Sequence, residues 1–283
     1  MAIVLHDERE IIAALGDDRL VPPPAAGAAG APTMTLRASM ARFSAPADHD
    51  PRRAAVLQVV NSLDVAAVAI HARARAAAAL EEVHARGRRV ELIAQVARPS
   101  TVEAIAMALD VVPDALPAVV ADVDAIVAVI GRGAAASAAS DAAVERLLAQ
   151  FATHPGGAVA AVSALYQSMD ATAALVATRL LDRTRNAPLT RPIARTTRVA
   201  ASTTDVLGRV VPAGSKVDVE IGAAGLWFGA GRHECPGRAL AERIAVEIVH
   251  AVEASGARVE LAALELDADA RPLAVWLDLA ASS

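Results

Sequence analysis

Over most of its length the chain repeats apolar residues with the period of a helix. "DEREIIAAL", 7–15, predicts a short helix ended by Gly16. "VPPPAAGAAGAP", 21–32, predicts a loop or lid, because its prolines lack amide donors and its glycines are conformationally loose. A helical pattern starts near Asp48–Pro51, with Pro51 suited to a first-turn position, and persists to about His84. Residues 87–111 predict two helices split at Arg98–Pro99, since the residue before a proline avoids helical backbone. Residues 113–153 are alanine-rich and break at "GRGAAASAAS". "HPGG" then precedes an apolar helix over 158–183. After Pro188 the period changes. Residues 196–222 set β-branched and polar side chains around "GR" and "PAG" turns, which predicts hairpins. A last long helix covers 237–254, followed by two strand-like pieces, "ARVELAAL" and "PLAVWLDL". No fixed-period repeat and no strong boundary divides the chain, so 1–283 reads as a single, mainly α domain with small β-sheets.

Composition narrows the function classes. Of the 283 residues 55% are apolar and only 2% aromatic, so the core is built from alanine and valine. The net charge of −5 offers no basic patch for nucleic acid. No apolar run is expected to span a bilayer, because Asp110, Asp114, Asp122 and Asp124 interrupt the most apolar region. "MAIVLHDERE" lacks the order of a signal peptide, and the expected location is cytoplasmic. A single cysteine excludes an intrachain disulfide and a multi-cysteine metal site.

That cysteine lies in "FGAGRHECPGRALAERIA", 228–245. Pro236 follows it at a natural first helical position, which puts Cys235 at a helix N-terminus. There the unpaired N–H groups and the helix dipole favour thiolate over thiol. Gly229, Gly231 and Gly237 leave room for something flat to approach the backbone.

The spacing Phe228, Gly229, Gly231, His233, Cys235, Gly237 resembles the haem-binding loop of the cytochrome P-450 family at every one of these positions. The resemblance implies a shortened cytochrome P-450-like fold holding haem b, with Cys235 as the axial thiolate on iron. Phe228 would cover the sulfur side and His233 would meet a propionate, with Arg232 and Arg238 as flanking charges. "DHDPRR" looks like the family's H-x-x-x-R segment, so His49 and Arg53 are expected at a propionate. "RTTRVAASTTDVLGRVVPAG" is similar to the family's strand pair, which places Arg198 at a propionate with Arg195 as its substitute. "LYQSMDATAALVATRLL" looks like the oxygen-binding central helix: Asp170 matches the acid, Ala171 stands where a threonine is expected, and Thr172 comes one residue later. One residue along a helix is about 100° of rotation, so the acid–alcohol pair is displaced. Asp182 and Arg185 are the nearest match to the family's E-x-x-R pair. Connecting helices after the central helix and the meander before the cysteine loop are reduced.

The resemblance implies a monooxygenase-type oxidation of a small organic substrate, with electrons from a ferredoxin and its reductase. Two alternatives stay open. One is a haem enzyme working without a reductase, as peroxygenase, isomerase or dehydratase. The other is a degenerate haem-binding partner or scaffold. A homo-oligomer, in which a second copy supplies missing segments, also stays open.

Overall fold

The computed structural model describes residues 3–23, 30–44, 46–86 and 89–279. It is mainly helical with small sheets, as the periodicity predicts. The chain opens with β1 (Ile3–Leu5), α1 (Glu8–Gly16) and β2 (Leu20–Val21). Asp7 caps α1, its carboxylate accepting from the N–H groups of Arg9 and Glu10. There follow α2 (Pro32–Ser39), α3 (Pro46–Ser62), α4 (Val65–Arg86), β3 (Arg89–Glu91), a π-helical turn at Leu92–Ala97, and α5 (Arg98–Ala108). Next come α6 (Leu116–Ile130), α7 (Ala138–Gln150) and the long α8 (Ala158–Asp182). The β region comprises β4 (Thr196–Ala200), β5 (Thr204–Val206), β6 (Arg209–Val211) and β7 (Lys216–Val219). Then come α9 (Arg238–Ala254), β8 (Arg258–Val259), β9 (Glu265–Leu266), β10 (Pro272–Ala274) and β11 (Trp276–Asp278).

The largest sheet has the order β1-β7-β4-β2. β1 runs parallel to β7, with Ile3 beside Val217, and β4 runs antiparallel to β7, with Arg198 beside Val217. The hairpin β5–β6 turns on Leu207 and Gly208, both at positive φ (52° and 90°), the backbone of a type I′ turn. One apolar cluster gathers α3 to α9 around α8; a second lies between α1 and the large sheet, through Leu5, Ile11, Val217 and Val219.

Several sequence expectations are corrected. Residues 24–29 of the expected loop lie outside the described residues, but α2 starts already at Pro32. The Thr33 hydroxyl donates to Asp141 of α7 at 2.7 Å and tethers the helix start, a contact from 108 residues away. The helix expected from Asp48–Pro51 begins earlier, at Pro46, and holds Pro51 in its interior. The pattern expected to run unbroken to His84 bends by 72° between α3 and α4. Asp64 starts α4 there, accepting from the N–H groups of Ala66 (2.9 Å) and Ala67 (3.1 Å). At Arg98–Pro99 the π-turn passes directly into α5, because a proline in a first turn lacks only an N–H that has no partner there anyway. Finally, α8 is long and apolar enough to cross a membrane by length and composition. Its apolar surface is spent inside the protein, with 67% of the relevant window buried against its neighbours.

Candidate active site

The cysteine loop is built by backbone hydrogen bonds. The N–H of Gly229 donates to the carbonyl of Leu226 at 2.8 Å, and Gly229 adopts φ +72°. A side chain there would place its Cβ 3.3 Å from the His233 carbonyl, so the turn requires glycine. The N–H of Cys235 donates to the carbonyl of Phe228 at 2.8 Å and closes the loop. α9 then starts at Arg238, with Gly237 as its N-cap and Pro236 just outside it. Gly231, at φ +63°, packs toward the Leu15 carbonyl at the end of α1 and does not line the site.

Loop, helices and sheet enclose a cavity of about 480 Å³. α3 contributes His49, Arg53, Val56 and Val60, spaced to fall on one helical face. α8 contributes Ala164, Gln167, Ser168, Ala171, Thr172 and Leu175, again one face. β4 brings Arg198, and the loop brings Phe228, Gly229, His233, Cys235 and Gly237. α9 adds Leu240, Ala241 and Ile244. Thus every sequence-derived site residue except Gly231 and Asp170 meets in this one cavity.

Asp170 lies one position off the lining face. Its carboxylate accepts from Arg98 Nε at 2.8 Å and from Arg132 Nε and Nη2 at 2.9 Å each. Burial pushes its pKa up, but the two arginines overcome this and hold the carboxyl below its ordinary value. The expected acid is therefore committed to a structural ion-pair network outside the cavity, and only Thr172 of the acid–alcohol pair reaches it. Asp182 and Arg185 are both exposed and form no ion pair among the described residues.

The cavity is rich in cations that meet no carboxylate among the described residues. Arg198 is 6% exposed; its Nη1 donates to the Thr196 hydroxyl and the Thr197 carbonyl, while its Nε is buried without a partner. Burial, with a smaller push from Arg42, lowers its pKa to about 10. His233 is lowered to about 4, by burial first and then by Arg198 and His49, so it is a neutral imidazole at pH 7. The flanking charges are otherwise engaged. Arg195 pairs with Asp269, Arg232 with Asp18 and Asp50, and Arg238 with Glu234 and Glu242.

Cys235 is solvent-accessible, yet closely surrounded by protein atoms where it borders the cavity. That surrounding desolvates the thiol and pushes its pKa up; the N–H of Gly237, donating to it, pulls the other way and loses. The expectation that the helix start alone yields a thiolate is thus corrected. A positive charge at the sulfur, such as a bound metal ion, would favour the thiolate there. Sequence reasoning missed Trp227, whose buried indole N–H has no partner, and Arg37 and Arg42, which also line the cavity. Trp227 directly precedes the loop and was visible as one of two tryptophans; the arginines sit between the loop 21–32 and the helical pattern from Asp48, where the sequence predicts no element.

No protein-family model and no curated relative matches the chain. Solved structures do. The P450BioI complex with hexadec-9Z-enoic acid ligated acyl carrier protein is 16% identical, over 97% of this chain and 91% of that one, with a TM-score of 0.75. Streptomyces peucetius CYP105P2 with a biphenyl compound is 17% identical, over 98% and 90%, with a TM-score of 0.74. Epothilone B-bound cytochrome P450epoK is 16% identical, over 99% and 91%, with a TM-score of 0.72. Compressed into 283 residues, the fold is that of the cytochromes P-450.

Proposed function

We propose that the chain is a haem-thiolate oxidoreductase that oxidises a small organic substrate of the secondary-metabolite kind. One observation carries the reading: the only thiol, Arg53 and Arg198, which meet no carboxylate among the described residues, and the small-residue face of α8 all line one cavity. The residues fit haem b. Its propionates are the anions that Arg53 and Arg198 lack, and the unpartnered Nε of Arg198 is a donor left over by the protein alone. His49 and His233 would complete that end, and Cys235 would hold the iron through its sulfur. Bound there, haem supplies oxygen and one-electron chemistry, tuned by the thiolate.

The protein's own contribution is positioning and dryness. Ala171 keeps the α8 face open, and Leu175, Leu240 and Ile244 exclude water from the cavity wall. Thr172, 2% exposed, and Ser168 hold hydroxyl groups at that wall and are the side chains available to hand on a proton. Ferredoxin with its reductase is the proposed electron source. Two of the similar structures hold organic molecules, a biphenyl compound and epothilone B, which supports an organic substrate.

The test is the absorption spectrum of the purified protein, reduced and with CO bound. A strongly red-shifted Soret band is expected, and Cys235→Ala should abolish it. A histidine-type spectrum, or an unchanged one in the variant, refutes the assignment. Asp170's position outside the cavity motivates a second reading, turnover with peroxide and no reductase. Strict dependence on ferredoxin and a nicotinamide donor excludes it.

A further inference from the structure

We infer that the substrate is an apolar organic acid whose carboxylate is read by Arg37 and Arg42. This rests on the haem-thiolate reading of the same cavity and names its substrate class. The argument is a balance of charge. Arg195 is matched by Asp269, and Glu234 by Arg238. Arg53 and Arg198, with His49 and His233, suffice for the propionates of haem. Arg37 and Arg42 remain, lining the cavity with no carboxylate partner among the described residues. The acids of α3 and of the start of α7 have other partners: Asp48 pairs with Arg52, Asp50 with His49 and Arg232, and Asp141 accepts from Thr33.

Phe43 orients the pair. The guanidinium carbons lie 4.5 Å (Arg37) and 5.8 Å (Arg42) from its ring centroid. Stacking on an aromatic face leaves the N–H edge of a guanidinium available, and that edge matches a carboxylate in bidentate fashion. Both border the cavity, Arg37 half-buried and Arg42 at its exposed edge. Val56, Val60, Ile105, Leu175 and Ile193 supply apolar wall in the same cavity. An apolar body with one anionic head satisfies both halves.

Calorimetric titration with decanoate and with the neutral decanamide tests this, on protein with and without haem. The wild type should bind decanoate roughly tenfold more tightly or better, as expected for charge-assisted hydrogen bonds. The double variant R37Q/R42Q should lose that preference, while keeping its decanamide affinity, which reports folding, and its haem content. Equal binding of the two probes by the wild type overturns the proposal. So does a preference that survives in the double variant. A fall in haem content in that variant also overturns it and reassigns the pair to the haem carboxylates. Failure of the haem reading is seen separately, in the reduced CO spectrum of the wild type, and the probe preference of the haem-free protein still decides the present question.

Discussion

The imidazoles of His49 and His233 meet edge to face, with ring centroids 4.3 Å apart and planes 64° apart. This contact ties α3 to the cysteine loop. It also ties pH to stability. His233 has its pKa lowered from 6.5 to about 4, so the unfolded chain binds a proton that the folded one refuses. Stability is complete above pH 6.5 and is lost as pH falls from there toward about 4. Urea unfolding of the haem-free protein at stepped pH should show this slope, and His233→Phe should flatten it. Haem carboxylates near the ring would favour its charged form, so the loaded protein should lose less. An identical slope in wild type and variant rejects His233 as the source.

Arg198 is expected to harm the empty protein and serve the loaded one. Its pKa, lowered by burial to about 10, means the haem-free fold resists the charge by roughly 3 kcal/mol at neutral pH. This penalty is present below the lowered pKa and fades as pH rises through it. Arg198→Leu loses the bonds to Thr196 and Thr197 but removes the unpaired charge. The haem-free variant should therefore melt no lower than the wild type, and haem retention in a gel-filtration or transfer assay should fall several-fold. A variant that melts much lower and retains haem normally contradicts the assigned role.

Asp170 should behave as a structural residue. Asp170→Asn leaves Arg98 and Arg132 without their shared anion, and removing one charged partner from a partly buried network costs about 2 kcal/mol. For a chain of this size that lowers the melting temperature by roughly 3–4 °C. Because its carboxyl titrates below the ordinary value, its contribution is present above the ordinary pKa and is lost as pH falls through the lowered one. The variant should lack that acid-side loss. Haem content should be unchanged and turnover per haem altered by less than about twofold. A large fall in turnover with unchanged stability returns Asp170 to proton delivery.

The parts of this fold that sequence reasoning reached are the locally determined ones. The cysteine loop is set by glycines at positive φ and by a hydrogen bond from Cys235 to Phe228, all within ten residues of chain. α8 announces itself by a long apolar helical period, and the β5–β6 hairpin by its turn residues. The misses depend on distant partners. α2 is tethered through Asp141, and the fate of Asp170 is decided by Arg98 and Arg132, 72 and 38 residues away. The bend at Asp64 had a local signal, a capping aspartate, but the helical period on both sides concealed it. Burial of the Cys235 thiol is a tertiary property, so no motif could report that its pKa rises rather than falls.

Two glycines of the loop separate backbone strain from site geometry. Gly229 and Gly231 both adopt the left-handed region, at φ +72° and +63°. Alanine in either place costs about 1–2 kcal/mol in backbone strain alone. Their surroundings differ. A Cβ on Gly231 meets nothing nearer than the Leu15 carbonyl at 3.8 Å, and Gly231 does not line the cavity. A Cβ on Gly229 comes within 3.3 Å of the carbonyl of His233, a cavity residue two positions before the cysteine. To relieve that contact the His233–Cys235 segment must shift, and with it the thiol. Gly231→Ala should therefore lower the melting temperature while leaving haem content and the reduced CO spectrum as in the wild type. Gly229→Ala should lower the melting temperature by a similar amount or more. It should also reduce haem content or convert part of the CO spectrum to the form lacking the thiolate. Equal spectra from the two variants would mean that the loop absorbs the contact without moving Cys235, and that Gly229 serves the turn alone.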